Sequence, residues 1–261
     1  MALPPPNGIV TLLTDFGSED PYVGIMKGAV LRAHRRAVLV DICHQVPAQD
    51  LEVGAFFVAA TLDRFPDGTV HLVVVDPGVG TGRRLIAVAS RGSYWIGPDN
   101  GVLGPVAEDP DAEVVAIDLG ALGLRAASRT FHGRDLFAPI AGALARGQYG
   151  FRALGPRCAD PVLLRASARP RVLFVDGFGN LITNLPGGAI DPSRSAVRVC
   201  GRTMRFVGTY GEAERGAVVA LVNSYGTVEI AVVDGSAASL LGVAPGAAVE
   251  VVPAAEGRGQ A

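Results

Sequence analysis

Apolar positions divide the chain into two textures. In the first, short apolar runs alternate with stretches at helical spacing. Ile9–Thr14, Val38–Ile42, Val70–Val75 and Val114–Asp118 read as strands; the third is rich in β-branched residues and unbroken enough to be buried on both faces. Tyr22–Ala33, with Val23, Met26, Ala29, Val30 and Ala33 on one stripe, Leu51–Leu62 and Leu136–Arg146 carry helical spacing. Leu85–Ser90 and Ser93–Ile96 are further strands with a one-turn break between them, and Asn100-Gly101 predicts a hairpin turn, since both residues tolerate positive φ. Strand, helix, strand, helix, strand is the order of a parallel sheet covered on both faces.

From about Pro161 the helical period disappears. Short β-rich pieces follow at Val172–Asp176, Leu181–Asn184, Ala196–Cys200, Met204–Val207, Val218–Val222, Thr227–Val233 and Ala248–Val252, punctuated by Gly and Pro. The prediction is an amino-terminal parallel-sheet α/β domain over residues 1–160 and a small antiparallel β domain, a barrel or sandwich, over 161–261.

Composition narrows the function. The chain has 261 residues, 49% hydrophobic and 18% charged, as expected of a compact fold with a real core. Net charge is −2 without a basic run, which argues against nucleic acid as a partner. No apolar run approaches the roughly 18 residues of a membrane span, and MALPPPNG lacks the features of a signal peptide. Cys43, Cys158 and Cys200 are odd in number and far apart, with neither zinc nor disulfide spacing, so a cytoplasmic location is expected. Lys27 is the only lysine among 23 Lys and Arg residues, read here as composition bias.

The chemistry concentrates on Val70–Arg84. Asp76-Pro77-Gly78 stops a buried strand, Gly80 and Gly82 keep the next turn open, and Arg83 returns a cation. An acid there sits where open α/β sheets place ligands, and Asp15 repeats the pattern after the first strand. The alternative is a tight turn with a solvated Asp and Arg. His132 precedes a helix start, where the partial positive charge favours a neutral imidazole. Arg83 occupies the place of the third glycine in a dinucleotide fingerprint, no Gly-Lys-Ser/Thr phosphate loop exists, and no nucleophilic-serine motif is found. The four histidines are scattered, so no metal is expected. Asp15, Asp76, Arg83 and His132 remain as candidates on one sheet edge.

These residues sit in motifs that resemble a known family. Thr14-Asp15-Phe16-Gly17 with Asp20, Tyr22-Val23-Gly24, Met26-Lys27-Gly28, Asp41-Ile42-Cys43-His44, Val74–Thr81, Pro98-Asp99-Asn100-Gly101, Thr130–Asp135, Asp176–Asn180 with Thr183-Asn184, and Asn223-Ser224-Tyr225-Gly226 follow in order. Together they resemble the S-adenosylmethionine hydroxide adenosyltransferases, or S-adenosylmethionine hydrolases, relatives of fluorinase and chlorinase. The resemblance implies an α/β domain, a carboxy-terminal β-barrel, and a homotrimer with active sites between one subunit's first domain and its neighbour's second. It implies no cofactor, S-adenosylmethionine being the substrate. By position it assigns water handling to Asp76, Arg83 and His132, and the ribose hydroxyls to Asp15. Phe178 would lie along the adenine, with Asp176 and Asn180 at the methionine amine and nearby polar groups. Ser224 and Tyr225 fall at the methionine carboxylate, and Glu229 and Val232 near the adenine edge. Tyr225 departs from the arginine of the halogenating relatives.

Position 76 separates the branches. The halogenating relatives carry a non-acidic residue there, whereas a carboxylate would repel a dehydrated halide. The implied reaction is attack of water or hydroxide on the ribose 5′-carbon with loss of methionine, the (R)-sulfonium epimer being a candidate preference. Ion-paired to Arg83, Asp76 would align the water, Arg83 would favour hydroxide character, and His132, with a reference pKa of about 6.5, would take the proton. Two other readings stand beside it: a halogenase, and a catalytically silent protein that binds adenosine or S-adenosylmethionine.

Overall fold

The computed structural model describes residues 3–254 apart from Ala166 and Ala168. The chain divides into two compact units, Met1–Arg165 and Ala166–Ala261.

The first unit follows the order β1 (Ile9–Thr14), α1 (Tyr22–Ala33), β2 (Val38–Cys43), α2 (Leu51–Thr61), β3 (Val70–Val74), β4 (Leu85–Ser90), β5 (Ser93–Pro98), α3 (Gly104–Ala107) and β6 (Glu113–Ala116), then α4 (Ala138–Ala145). Six strands form one sheet in the order β2-β1-β3-β5-β4-β6. β2, β1, β3 and β5 are mutually parallel, while β4 runs antiparallel to both β5 and β6. The sheet is therefore mixed rather than parallel throughout. The cause is local: Arg91 and Gly92 both adopt positive φ, so a two-residue turn joins Ser90 to its partner Ser93 and forces the chain to double back.

Alternation along the strands sends side chains to two covered faces. Val10, Leu12, Val70, Leu72 and Val74 share a core with Met26 and Val30 of α1 and Ile140 and Leu144 of α4. On the other side α2 packs against α3, and Gly54 brings α2 against Val75 and Val102. Asp50 caps α2 by accepting from the N–H groups of Glu52 and Val53 at 3.1 and 3.0 Å. The expected hairpin at Asn100-Gly101 does not form. Only Gly101 takes positive φ, and the segment leads from β5 into α3.

The second unit contains β7 (Val172–Val175), β8 (Leu181–Pro186), β9 (Ser195–Val199), β10 (Arg202–Arg205), β11 (Val218–Val222), β12 (Thr227–Val232), α5 (Ala237–Leu241) and β13 (Val249–Pro253). Its strands form two antiparallel sheets, β10-β9-β13 and β11-β12-β8-β7. Among the described residues no closed barrel forms. The sheets meet through single bridges, Phe206 with Ala220 and Arg171 with Ala248, where closure would need continuous ladders. Val172, Leu181, Val197, Val228, Ile230 and Val249 fill the core between them.

Candidate active site

β1 pairs with β2 on one side and β3 on the other, so the chain order reverses at β1. Open α/β sheets place ligands in the crevice at such a point, beyond the carboxyl ends of the strands. Thr14 pairs with Val74 there, which sets Asp15 and the Asp76 loop at the mouth of neighbouring strands.

Asp76 and Arg83 form a buried pair across the glycine loop. Arg83 Nε donates to Asp76 Oδ1 at 2.6 Å and Nη2 donates to Oδ2, a fork that fixes both groups in one plane. The two side chains are 5% and 8% exposed, which excludes the solvated turn. Nη2 also lies 3.2 Å from His132 Nδ1, and the guanidinium carbon stands 5.4 Å above the Phe137 ring. Arg83 Nη1 is buried and has no hydrogen-bond partner among the described residues. Three of the candidates thus form one constellation.

His132 caps a π-helical turn, Gly133–Phe137, that runs into α4. Its pKa is lowered by burial first and by the Arg83 cation second, with Asp76 and Asp135 pulling the other way. The loop before it is tied by Asp135, whose Oδ2 accepts from Ser128 N–H at 2.7 Å and whose carboxylate pairs with Arg134. Gly80 joins the two loops. At φ +78°, a Cβ there would lie 2.4 Å from the carbonyl oxygen of Arg129.

Asp15 is oriented by backbone. Its Oδ2 accepts from Gln49 N–H at 2.8 Å, and Gln49 holds positive φ immediately before the α2 cap. A non-glycine residue in that conformation stores strain of order 1 kcal/mol or more, as functional sites commonly do. Beneath it Thr14 Oγ1 lies 2.8 Å from His44 Nδ1, His44 Nε2 lies 3.0 Å from Asp41, and Lys27 donates to Asp41 at 2.6 Å. Phe16 and Phe131, the neighbours of Asp15 and His132, converge with Tyr22 at ring separations of 5.3–5.9 Å. They line a hollow of about 370 Å³ with Ser128, Thr130 and Arg134. That hollow escaped the sequence reading; its only signal was an aromatic residue beside Asp15 and beside His132.

The second unit carries the remaining candidates on the Asp176–Asn180 turn, the β11–β12 turn and β12 itself. Leu181 pairs with Ile230 and Thr227 with Pro186, so the two turns lie at opposite ends of β12. Asp176 Oδ1 accepts from the N–H groups of Phe178 and Asn180, both at 2.9 Å, and Oδ2 accepts from Asn180 Nδ2 at 3.1 Å. This holds Phe178 outward, 82% exposed, while Asn180 is buried. Ser224 and Tyr225 occupy the β11–β12 turn, organised by Asn223 Oδ1, which accepts from Tyr225 N–H at 3.0 Å. Glu229 is 4% exposed and accepts a 2.5 Å hydrogen bond from the Tyr210 hydroxyl. Burial raises the Glu229 pKa, and the Asp176 charge adds to the shift. The Tyr210 pKa rises through burial first and then through its hydrogen bond to Glu229 and that group's charge. Tyr210 itself was missed, because a short turn carries no periodicity to mark it. The Val232 side chain belongs to the core of this unit, and its carbonyl accepts from Gly235 N–H at 3.1 Å.

An acid, a guanidinium and an imidazole joined at the switch point of an α/β sheet define a site that can hold and polarise a small nucleophile. The chain matches the SAM hydroxide adenosyltransferase N-terminal domain over residues 10–155 and the corresponding C-terminal domain over residues 170–250. It belongs to the S-adenosylmethionine (SAM) hydroxide adenosyltransferase family. It is 38% identical over 257 residues to an (R)-S-adenosyl-L-methionine hydrolase of Thermus thermophilus, covering 93% of this chain and 99% of the relative. A second (R)-S-adenosyl-L-methionine hydrolase, from Salinispora tropica, is 37% identical over 92% of this chain and 96% of its own. A fluorinase from Nocardia brasiliensis is 27% identical over 68% of this chain and 71% of its own. The fold is similar to that of an uncharacterized conserved protein from Thermotoga maritima, with a TM-score of 0.83, 33% identity, and coverage of 93% and 99%.

Proposed function

We propose that the protein hydrolyses S-adenosyl-L-methionine to adenosine and L-methionine, with preference for the (R)-sulfonium epimer that the similar enzymes are named for. The observation that carries the reading is the position of Arg83 between Asp76 and His132. Water attacks the ribose 5′-carbon, the carbon–sulfur bond breaks, and its electron pair leaves with methionine as a neutral thioether. No acid is needed for that departure. The demand falls on the nucleophile, because bulk water has a pKa of about 15.7.

In this scheme Asp76 aligns the water, Arg83 stabilises its developing hydroxide character, and His132 accepts the proton on Nδ1, the nitrogen whose lone pair faces Arg83 Nη2. A neutral His132, favoured by burial and by Arg83, suits that role. Holding the attacking atom in line can supply roughly 7–11 kcal/mol of the barrier. Asp15 takes the ribose hydroxyls. Phe178 lies along the adenine, Glu229 and Val232 lie near its edge, Asp176 and Asn180 take the methionine amine and nearby polar groups, and Ser224 and Tyr225 its carboxylate. The carboxy-terminal unit would act as a barrel-like substrate domain, and a homotrimer would complete each site between protomers. The exposure of Phe178 supports that arrangement, since an aromatic ring held rigidly outward is suited to a ligand or a neighbouring surface. Three free cysteines suit a cytoplasmic setting.

Incubation with S-adenosylmethionine in heavy-oxygen water tests the reading. Adenosine bearing one heavy oxygen at the 5′-hydroxyl, together with free methionine, is the expected result. A 5′-halo-nucleoside formed in the presence of chloride or fluoride, or tight adenosine binding without methionine release, would overturn it.

A further inference from the structure

The loop from Asp76 to Arg83 is held at both ends by one short segment, Asp99-Asn100, which leaves β5 on the same edge. Asn100 Nδ2 donates to the carbonyl of Val75 at 2.9 Å, the residue before Asp76. Asp99 Oδ2 accepts from Arg84 Nε at 2.6 Å, the residue after Arg83, and Asp99 N–H donates to the Arg84 carbonyl at 3.0 Å. Both side chains are themselves fixed. Asn100 Oδ1 accepts from Val102 N–H at 3.2 Å, and Asp99 Oδ1 accepts from Val162 N–H at 2.7 Å. The Asp99 side chain is 2% exposed, and Arg84 is tied in turn to Asp160 at 2.7 Å. Accepting from Val102 while donating to Val75 needs a side chain with both a donor and an acceptor, which a carboxylate lacks, and this gives Asn100 a requirement that a plain turn lacks.

We infer that Asp99 and Asn100 are positioning residues that set the span between Asp76 and Arg83, and through Arg83 the contact with His132. This rests on the hydrolase reading for its catalytic consequence, but its structural consequence stands separately. Without these side chains, the ends of the glycine loop are held by the pairing of β3 and β4 with β5 and by the Asp99–Arg84 backbone bond, which leave the side-chain span of the fork less tightly set. A shift of about 1 Å at such a pair is enough to cost on the order of 100-fold in rate.

Asn100→Asp is the sharpest probe. It keeps the acceptor for Val102 and the side-chain volume but turns the donor toward Val75 into an oxygen. Asp99→Asn is the second, since one of its two neighbours then meets a donor instead of an acceptor. Each variant is expected to lower kcat by about 10–100-fold with KM for S-adenosylmethionine unchanged. Arg83 would also retreat from His132, so the acid limb of the pH–rate profile is expected to move to higher pH. Asp76, Arg83 and Asp135 are the charged groups facing His132, and the first and last stay in place. Equal kcat per folded molecule with an unmoved limb, in protein quantified by its unfolding transition, would overturn the inference. Wild-type turnover tests the hydrolase reading by itself. Were the wild type inactive, crystal structures of wild type and Asn100→Asp would still decide the clamp: a widened Asp76–Arg83 contact supports it, and an unchanged one refutes it.

Discussion

Arg83 binds Asp76 through a two-point fork and reaches His132 through the same Nη2 nitrogen. One planar cation therefore couples the orientation of a carboxylate to that of an imidazole. Arg83→Lys keeps the charge but replaces the fork with a point contact. A fall in kcat of about 100-fold or more, with the protein still folded, is the expected outcome in a steady-state assay of methionine release.

Removing the carboxylate should be costly to the fold as well. Asp76→Ala leaves a guanidinium 8% exposed without its partner. Breaking a buried pair in this way costs about 3–5 kcal/mol. Urea unfolding at constant m-value would show it; a loss below 1 kcal/mol would mean that Arg83 finds another partner.

The pH profile reports the imidazole. His132 accepts a proton only when neutral, so activity falls as pH drops through its pKa. Burial and Arg83 lower that pKa from 6.5, which places the acid limb below 6.5. His132→Ala should lose about 100–10,000-fold and flatten the limb. Retained activity in His132→Ala alongside an inactive Asp76→Ala would reverse the assignment of the proton acceptor.

A second histidine controls stability instead. His71 is buried, stacked on Trp95 at 3.9 Å and hydrogen-bonded to Thr11 at 2.8 Å, and burial lowers its pKa to about 3. The unfolded chain takes the proton near pH 6.5 while the folded one resists it. Stability is thus complete above pH 6.5 and declines by about 1.4 kcal/mol per pH unit on the way down toward pH 3. His71→Gln should show a shallower slope over that window in pH-dependent thermal unfolding.

Gly80→Ala tests the joint between the two catalytic loops. The added methyl meets the Arg129 carbonyl and the residue must keep positive φ. Destabilisation of more than about 1 kcal/mol and a drop in kcat are expected, whereas Gly82→Ala, where nothing lies within 4 Å, should be mild.

The readable parts of this molecule were the local ones. Val70–Val74 announces itself by β-branched residues, and Asp15 and Asp76 by their place after buried strands. Asn100-Gly101 misled, because an Asn-Gly pair signals two left-handed residues, whereas Asn100 here spends its amide on Val75 and only Gly101 is left-handed. The convergence of Arg83 with His132 depends on residues 49 positions apart and has no local mark. Tyr210 lies in the same category, recognisable only once Glu229 is seen beneath it. Whether strands separated by loops close into a barrel depends on ladder continuity, which a list of β-rich segments does not contain.

The reversed direction of β4 decides where Arg83 can be. A strand of six residues spans roughly 17–20 Å, so a version of β4 parallel to β3 would deliver its first residue to the far rim. Running backwards, it brings its opening residues to the rim where β1, β3 and β5 finish. The Arg91-Gly92 corner, remote from any chemistry, is what makes an arginine seven positions after Asp76 its neighbour in space. Stiffening or lengthening that distant corner is therefore a way to tune the site without touching it.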